Sequence, residues 1–212
     1  VQAIKDARNF EAVTAQVVDR GTAGGLTWSR WSDGTVSDAF GVVPALGANQ
    51  GMHQMVGEPA SNIPTTGTAQ YTLAGYTKPH STDNSVAPGT FAGSMAVQFG
   101  SASASTGVGL DFQVGIGGHT YNVATTGGVA DPGQSQLKLF DSTFGSAYGH
   151  GATINVTPGG VACPNASCRA DVSGFLAGFG GGSAGVGYTI SEFGTPNNPG
   201  AVQGTAAFTK AP

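Results

Sequence analysis

From Ala170 to Ile190 the chain reads Ala-Asp-Val-Ser-Gly-Phe-Leu-Ala-Gly-Phe, then Gly-Gly-Gly-Ser-Ala, then Gly-Val-Gly-Tyr-Thr-Ile. In both arms large and small side chains alternate, which is the period of two that a pleated strand imposes, and the glycine-rich bend suits a tight reversal. A chain written this way is built from β-hairpins. The same grammar recurs from Gly67 onward. Val108, Leu110, Phe112, Val114 and Ile116 share one face of a run whose other face is Gly109, Asp111, Gln113 and Gly115. Gly117-Gly118 then turns that run into His119-Thr120-Tyr121-Asn122-Val123, a two-residue hairpin. Further strands are expected around Tyr71 and Leu73, over Met95, Val97 and Phe99, at Gln136 to Asp141, at Ala152 to Thr157, and near Val202 to Thr209. Eight or nine antiparallel strands joined by short hairpins suit an up-and-down barrel, because closure removes the adhesive edges of an open sheet. Phe175, Phe179, Val186, Tyr188 and Ile190 are expected as its wall and filling.

The N-terminal segment is written differently. Lys5, Asp6, Arg8, Glu11, Asp19 and Arg20 crowd into its first twenty residues, although only 9% of the whole chain is charged. Ile4, Ala7, Phe10, Ala12 or Val13, and Val17 recur at intervals of three to four, which predicts an amphipathic helix over Val1 to Arg20, ended by Gly21 and Gly24-Gly25. Its apolar stripe would pack on its own barrel or dock on a neighbouring subunit. Leu26 to Trp31 reads as a short strand carrying both tryptophans, and Val36 to Val43 as a second. Trp28 and Trp31, flanking Arg30, are expected either as a core plug with a stacked guanidinium or as a ligand contact. Pro44 to Thr66, rich in Gly, Pro and Asn, reads as a long connection. The expected organisation is therefore a helix over 1–20, short strands and a connection over 21–66, and an all-β, antiparallel barrel of about eight strands over 67–212. If the N-terminal segment mediates self-association or meets a partner, the contacts fall to Ile4, Phe10, Val13, Val17, Trp28 and Trp31.

Several function classes are disfavoured. A net charge of −4 with no Lys/Arg cluster lacks the basic face that displaces counterions from nucleic acid, and no run of about 18 apolar residues would cross a bilayer as a helix. Cys163 and Cys168 bracket Pro-Asn-Ala-Ser, a spacing that closes a disulfide loop, with two free thiols as the alternative. A disulfide there would place the chain outside the cytoplasm, extracellular, at the cell surface or in the periplasm. The first residue is Val rather than Met, so an upstream segment is expected. Gly181-Gly182-Ser183-Ala184-Gly185 fits a nucleophile-elbow string and Gly180, Gly182 and Gly185 a dinucleotide fingerprint. With 36 glycines in 212 residues, such matches arise about once by chance, and neither sits between a strand and a helix. His53, His80, His119 and His150 show no metal-ligand spacing and are expected on exposed loops, with a haem or metal ligand, His150 in Tyr148-Gly-His-Gly151 above all, as the alternative, and Asp111, Asp141, Asp171 and Glu192 lie on separate strands. The sequons at Asn155 and Asn165 are read as unused. No catalytic residue, metal ligand or cofactor is assigned.

Ser173-Gly-Phe-Leu-Ala-Gly-Phe179 with Gly185-Val-Gly-Tyr-Thr-Ile190 resembles the Gly-Phe-aromatic-Gly, turn, Gly-small-x-Tyr pattern of the eight-stranded barrels of the transferrin-binding protein B-like family. Gly67 to Tyr76 leading to Thr82-Asp83-Asn84-Ser85, then Pro88 to Ser94, and Gly204-Thr-Ala-Ala-Phe208 are similar to it as well. A barrel of this kind also ends many secreted proteobacterial proteins with a FecR-type domain, in which the preceding segment is similar to Leu26 to Trp31. The resemblance covers about residues 67 to 209; neither a full N-lobe, a handle domain nor a FecR domain is recognisable, and no lipidated cysteine stands at the start. It implies a non-enzymatic barrel outside the cytoplasm that binds a solute or partner protein. The low charge and distinct N-terminal segment also fit a structural subunit of an extracellular homopolymer joined through that segment.

Overall fold

A computed structural model describes residues 2–4, 11–12, 14–38, 41–42, 45–145, 154–159, 168–192 and 201–212. The N-terminal part contributes β1 (Gln2–Ile4), β2 (Glu11–Ala12), β3 (Gln16–Ala23), β4 (Leu26–Ser32), β5 (Val36–Asp38), β6 (Gly41–Val42) and β7 (Met52–Gly57). After these come β8 (Thr68–Tyr76), β9 (His80–Ser81), β10 (Thr90–Gln98), β11 (Gly107–Ile116), β12 (His119–Ala124), β13 (Thr143–Gly145), β14 (Ile154–Gly159), β15 (Cys168–Ala177), β16 (Ser183–Glu192) and β17 (Val202–Lys210). The fold is all-β.

Eight strands pair in a circuit. The order β8-β10-β11-β12-β14-β15-β16-β17 closes through β17 on β8, every pair antiparallel, with short β9 and β13 attached to β17 and β15. Neighbours in sequence are neighbours in the wall, so this is the up-and-down arrangement that the alternating runs predict. Val108, Leu110, Phe112, Val114 and Ile116 of β11 all point inward and are at most 6% exposed. Gly117 and Gly118, both at positive φ, form the turn into β12. The bore is filled: Phe91 stacks on Phe112 and Tyr188, which tilt against each other, with ring centroids 5.2 to 5.4 Å apart, and Phe208 meets Phe91 edge-on at 6.4 Å. Such a bore is a packed core rather than a ligand chamber.

The structure differs from the expectation in three ways, two of them in the N-terminal part. No helix spans the described residues between 1 and 20; Gln2–Ile4, Glu11–Ala12 and Gln16–Ala23 are strands, while residues 5–10 and 13 lie outside the described residues. Gly24-Gly25, both at positive φ, close β3 onto β4 as a hairpin, and the β-branched pair Val17-Val18 suits that strand; pairing along β4 overrides the three-to-four spacing. Second, the connection over residues 44–66 contains β7, which completes a four-stranded sheet of order β1-β7-β4-β3. Third, Gln136 to Asp141 is not a strand; only Phe140 makes an isolated bridge, to Thr143.

That sheet packs on the outside of the barrel. Leu26 and Trp28 of β4 and Met55 of β7 bury themselves on Phe175 and Ala177 of β15 and Ala207 of β17. Phe175 therefore faces outward beneath the N-terminal sheet, with Val172 and Leu176 of the opposite parity filling the bore. Phe179, expected in the wall, stands at the tip of the β15–β16 turn with 78% of its surface exposed. No helix among the described residues is long and apolar enough to cross a membrane.

Candidate functional site

Because the bore is filled, concave surface has to come from the connections, and one end of the barrel provides it. The chain before β8, the loop between β10 and β11 and the turn before β13 enclose a cleft of about 400 Å³. Phe99 and Leu139, both buried, and partly buried Ile63 form its apolar floor, while exposed Asn62, Ser101 and Asp141 line its edge. Backbone bonds anchor these walls to the barrel: the Phe99 amide donates to Gly67 O at 2.8 Å, Ala60 to Leu176 O at 3.0 Å, and Leu176 to Ser142 O at 2.7 Å. Thr106 Oγ1 ties two walls together, donating to Ser103 O at 2.7 Å and accepting from the Leu139 amide at 2.9 Å. The volume is within the range of small-molecule sites, and the lining carries a single charge, that of Asp141. Phe179 stands beside it: Ser61, next to Asn62, donates to Gly178 O and accepts from the Gly180 amide. The cleft and the exposed ring thus share one end of the molecule. What this arrangement offers chemically is recognition, an apolar floor with hydroxyl, amide and carboxylate groups around it.

A second polar constellation lies in the seam between the N-terminal sheet and the barrel. His53 of β7 and His80 of β9 meet ring to ring, Nε2 to Nδ1, at 2.7 Å, with centroids 4.9 Å apart. His53 Nδ1 lies 2.7 Å from Thr77 Oγ1, which in turn meets Thr205 Oγ1 at 3.0 Å. Arg30, only 4% exposed, gives its Nε–H to Asp19 Oδ2 at 2.6 Å and an Nη1–H to Gln50 O at 3.0 Å. Desolvation holds both imidazoles toward the neutral form: His80 is pulled down to about 4 by burial and then by the Arg30 charge, and His53 well below its usual value by burial, by His80 and by Arg30. These two histidines, expected on exposed loops, are instead seam residues. They are far apart in sequence and meet only because β7 docks across the barrel wall.

The residues singled out from the sequence fall in different places. Trp28 is buried, its ring against Gly21 and Gly75. Trp31 is partly buried and donates its indole N–H to Ser29 Oγ at 3.1 Å; Val17 is 42% exposed on β3. Ile4 lies in β1, paired with Met55, whereas Phe10 and Val13 lie outside the described residues. Arg30 turns to Asp19. Cys168 is buried at the start of β15, while Cys163 lies outside the described residues, as does His150; His119 is exposed at the β11–β12 turn. The two glycine strings occupy the β15–β16 turn and the first residues of β16, between two strands, a context that fits neither motif. Among the described residues, no three His, Cys, Asp or Glu side chains gather as a metal site would need.

No protein-family model matches this chain, and no curated protein does. Among solved structures it is similar to intact Ap-TbpB, a transferrin-binding protein with N and C lobes, at 13% identity and a TM-score of 0.32, over 93% of this chain. The chain spans 39% of the length of that protein, and it is the strand pairing described above, not this likeness, that defines the barrel.

Proposed function

We propose that this chain is a non-enzymatic β-barrel protein of the cell exterior that binds a solute or a partner protein at the cleft end of its barrel. The observation that carries the reading is the pairing of a filled bore with a polar-edged cleft of about 400 Å³ beside the exposed Phe179. A rigid scaffold presenting variable connections at one end is how barrels commonly carry recognition. The spacing of Cys163 and Cys168, which suits a disulfide loop, supports the exterior location. The test is a thermal-shift screen of peptides, neutral sugars and haem, repeated on Ser101→Trp, whose indole would fill the cleft from an exposed edge position. The expected outcome is a ligand that raises the Tm of the native chain and leaves the variant's Tm unmoved. If no probe shifts the native protein, or if Ser101→Trp responds equally, the cleft is not the site.

A second reading, self-association into a polymer through the N-terminal segment, is favoured by one feature. β3 ends its sheet, no strand pairs with its outer edge among the described residues, and Val17 and Val18 are 42% and 45% exposed there. Such an edge accepts a strand from another chain. Replacing both valines by lysine should leave the fold intact and, if this reading holds, shift sedimentation from assembly to monomer.

A further inference from the structure

The seam between the two layers is closed by an apolar patch and by a small number of polar ties. Across it run the His53–His80 contact, the His53–Thr77 contact at 2.7 Å, and the bond from the Lys78 amide to Asp19 Oδ2 at 3.2 Å. Further along, Gln50 Nε2 donates to Thr82 O at 2.6 Å, and Ser183 Oγ donates to Gly24 O at 2.6 Å. Two of these ties rest on groups that take up protons, the Asp19 carboxylate and the histidine pair, and only in the pair can two protons leave two donors facing each other. The charged groups around it are Arg30 and Asp19 from the N-terminal sheet, and Lys78 and Asp83 from the segment that carries His80; β17 contributes neutral Thr205.

The contact works for a neutral pair because one ring donates and the other accepts. A first added proton is accommodated: His53 as imidazolium donates Nε2–H to His80 Nδ1 and Nδ1–H to Thr77 Oγ1, while the Thr77 hydroxyl donates onward to Thr205. A second proton leaves no acceptor. Two N–H groups would then face each other across 2.7 Å, and two imidazoliums would lie beside the Arg30 guanidinium with Asp19 already committed to it. We infer that the His53–His80 contact is an acid-operated latch, which holds the N-terminal sheet on the barrel wall while the pair is neutral and releases that sheet, with the barrel intact, once both rings are protonated. Burial and the Arg30 charge, which disfavour the imidazolium on both rings, place release well below the ordinary histidine range. Released, the sheet would uncover Trp28, Leu26 and Met55 together with Phe175 and Ala207, an apolar surface hidden at neutral pH.

The test uses the full chain carrying Trp31→Phe, which leaves buried Trp28 as its single tryptophan. On acidification from pH 7 to 3.5 the Trp28 emission should shift to the red in one step, with the far-UV signal of the barrel retained. Two coupled protons would change the open-to-closed ratio by up to about a hundredfold per pH unit, against about tenfold for one. His80→Gln keeps a hydrogen-bonding partner for His53 without a titrating group, and should flatten the step or remove it, whereas exposed His119→Gln should leave it unchanged. Ring-nitrogen NMR of the unmutated protein gives a reading that needs no variant: His53 and His80 should titrate together, at the pH of the fluorescence step. The latch is overturned if the two rings titrate independently near pH 6.5, if Trp28 stays buried to pH 3.5, if His80→Gln leaves the step in place, or if the barrel signal collapses in the same step.

Discussion

Two buried tyrosines make opposite demands on the barrel. Tyr71 donates its hydroxyl to Gly181 O at 2.6 Å, and burial pushes its pKa up to about 12. The hydroxyl of Tyr188, whose ring stacks on Phe91 and tilts against Phe112, has no hydrogen-bond partner, and burial, then Tyr76, holds its pKa well above 10. Removing a satisfied hydroxyl strands its acceptor, whereas removing an unsatisfied one relieves a desolvation cost. Tyr71→Phe should therefore lose about 1 kcal/mol and Tyr188→Phe should gain about 1 kcal/mol, both read from urea unfolding midpoints. Trp28 sets a second residue-level demand, for space. Gly21 and Gly75 press on its ring so closely that a Cβ on either would overlap it. Gly75→Ala is expected to cost about 1–3 kcal/mol by overpacking, with a red-shifted tryptophan emission as the accompanying sign. Gly75 reads as an ordinary glycine in the sequence because the ring it faces comes from another layer, whereas Gly21 lies directly across from Trp28 in the β3–β4 hairpin.

At the scale of elements, local pattern was a good guide within the barrel, where strong alternation and a partner next along the chain agree. The Val108 to Ile116 stripe and the Gly117-Gly118 turn are properties of consecutive residues, so β11 and β12 were legible with their inward face. The β15–β16 hairpin was legible for the same reason, apart from Phe175, whose face depends on what covers the barrel outside, and Phe179, which stands exposed at the turn. Elements of the N-terminal sheet were less so. Gln16–Ala23 carries a helix-like spacing, yet it lies one tight turn from a partner strand, and ladder pairing decided the outcome. Met52–Gly57 sits amid Gly, Pro and Asn and alternates weakly, since only Met55 of its apolar residues is fully buried. Of the candidate cleft, the sequence offered only the expectation of a barrel that binds a solute or partner protein. Its residues come from separate connections, and none carries a motif.

For the molecule as a whole, the two layers differ in how they are held. The barrel closes on itself and encloses one continuous apolar core, while the N-terminal sheet rests on a patch of Leu26, Trp28, Met55, Phe175, Ala177 and Ala207. Regions with fewer buried apolar groups open at lower free energy than the global transition. Native-state hydrogen exchange at neutral pH should show the amides of β4 and β7 opening together, at a free energy below that of β11 and β16; equal protection in both layers would mean that sheet and barrel unfold as one unit. The sequence by itself determined the all-β class, the up-and-down order and the inward stripe of the clearest strands, because alternation and glycine turns act between residues that are near in the chain. Tertiary structure alone decided that the N-terminal segment is sheet rather than helix where it is described, that it lies across the outside of the barrel, and that His53 and His80 touch. The first outcome rests on ladder pairing with β4 that outweighs the three-to-four spacing, and the other two on which surfaces are left to cover once the barrel has closed, a condition that no local pattern encodes.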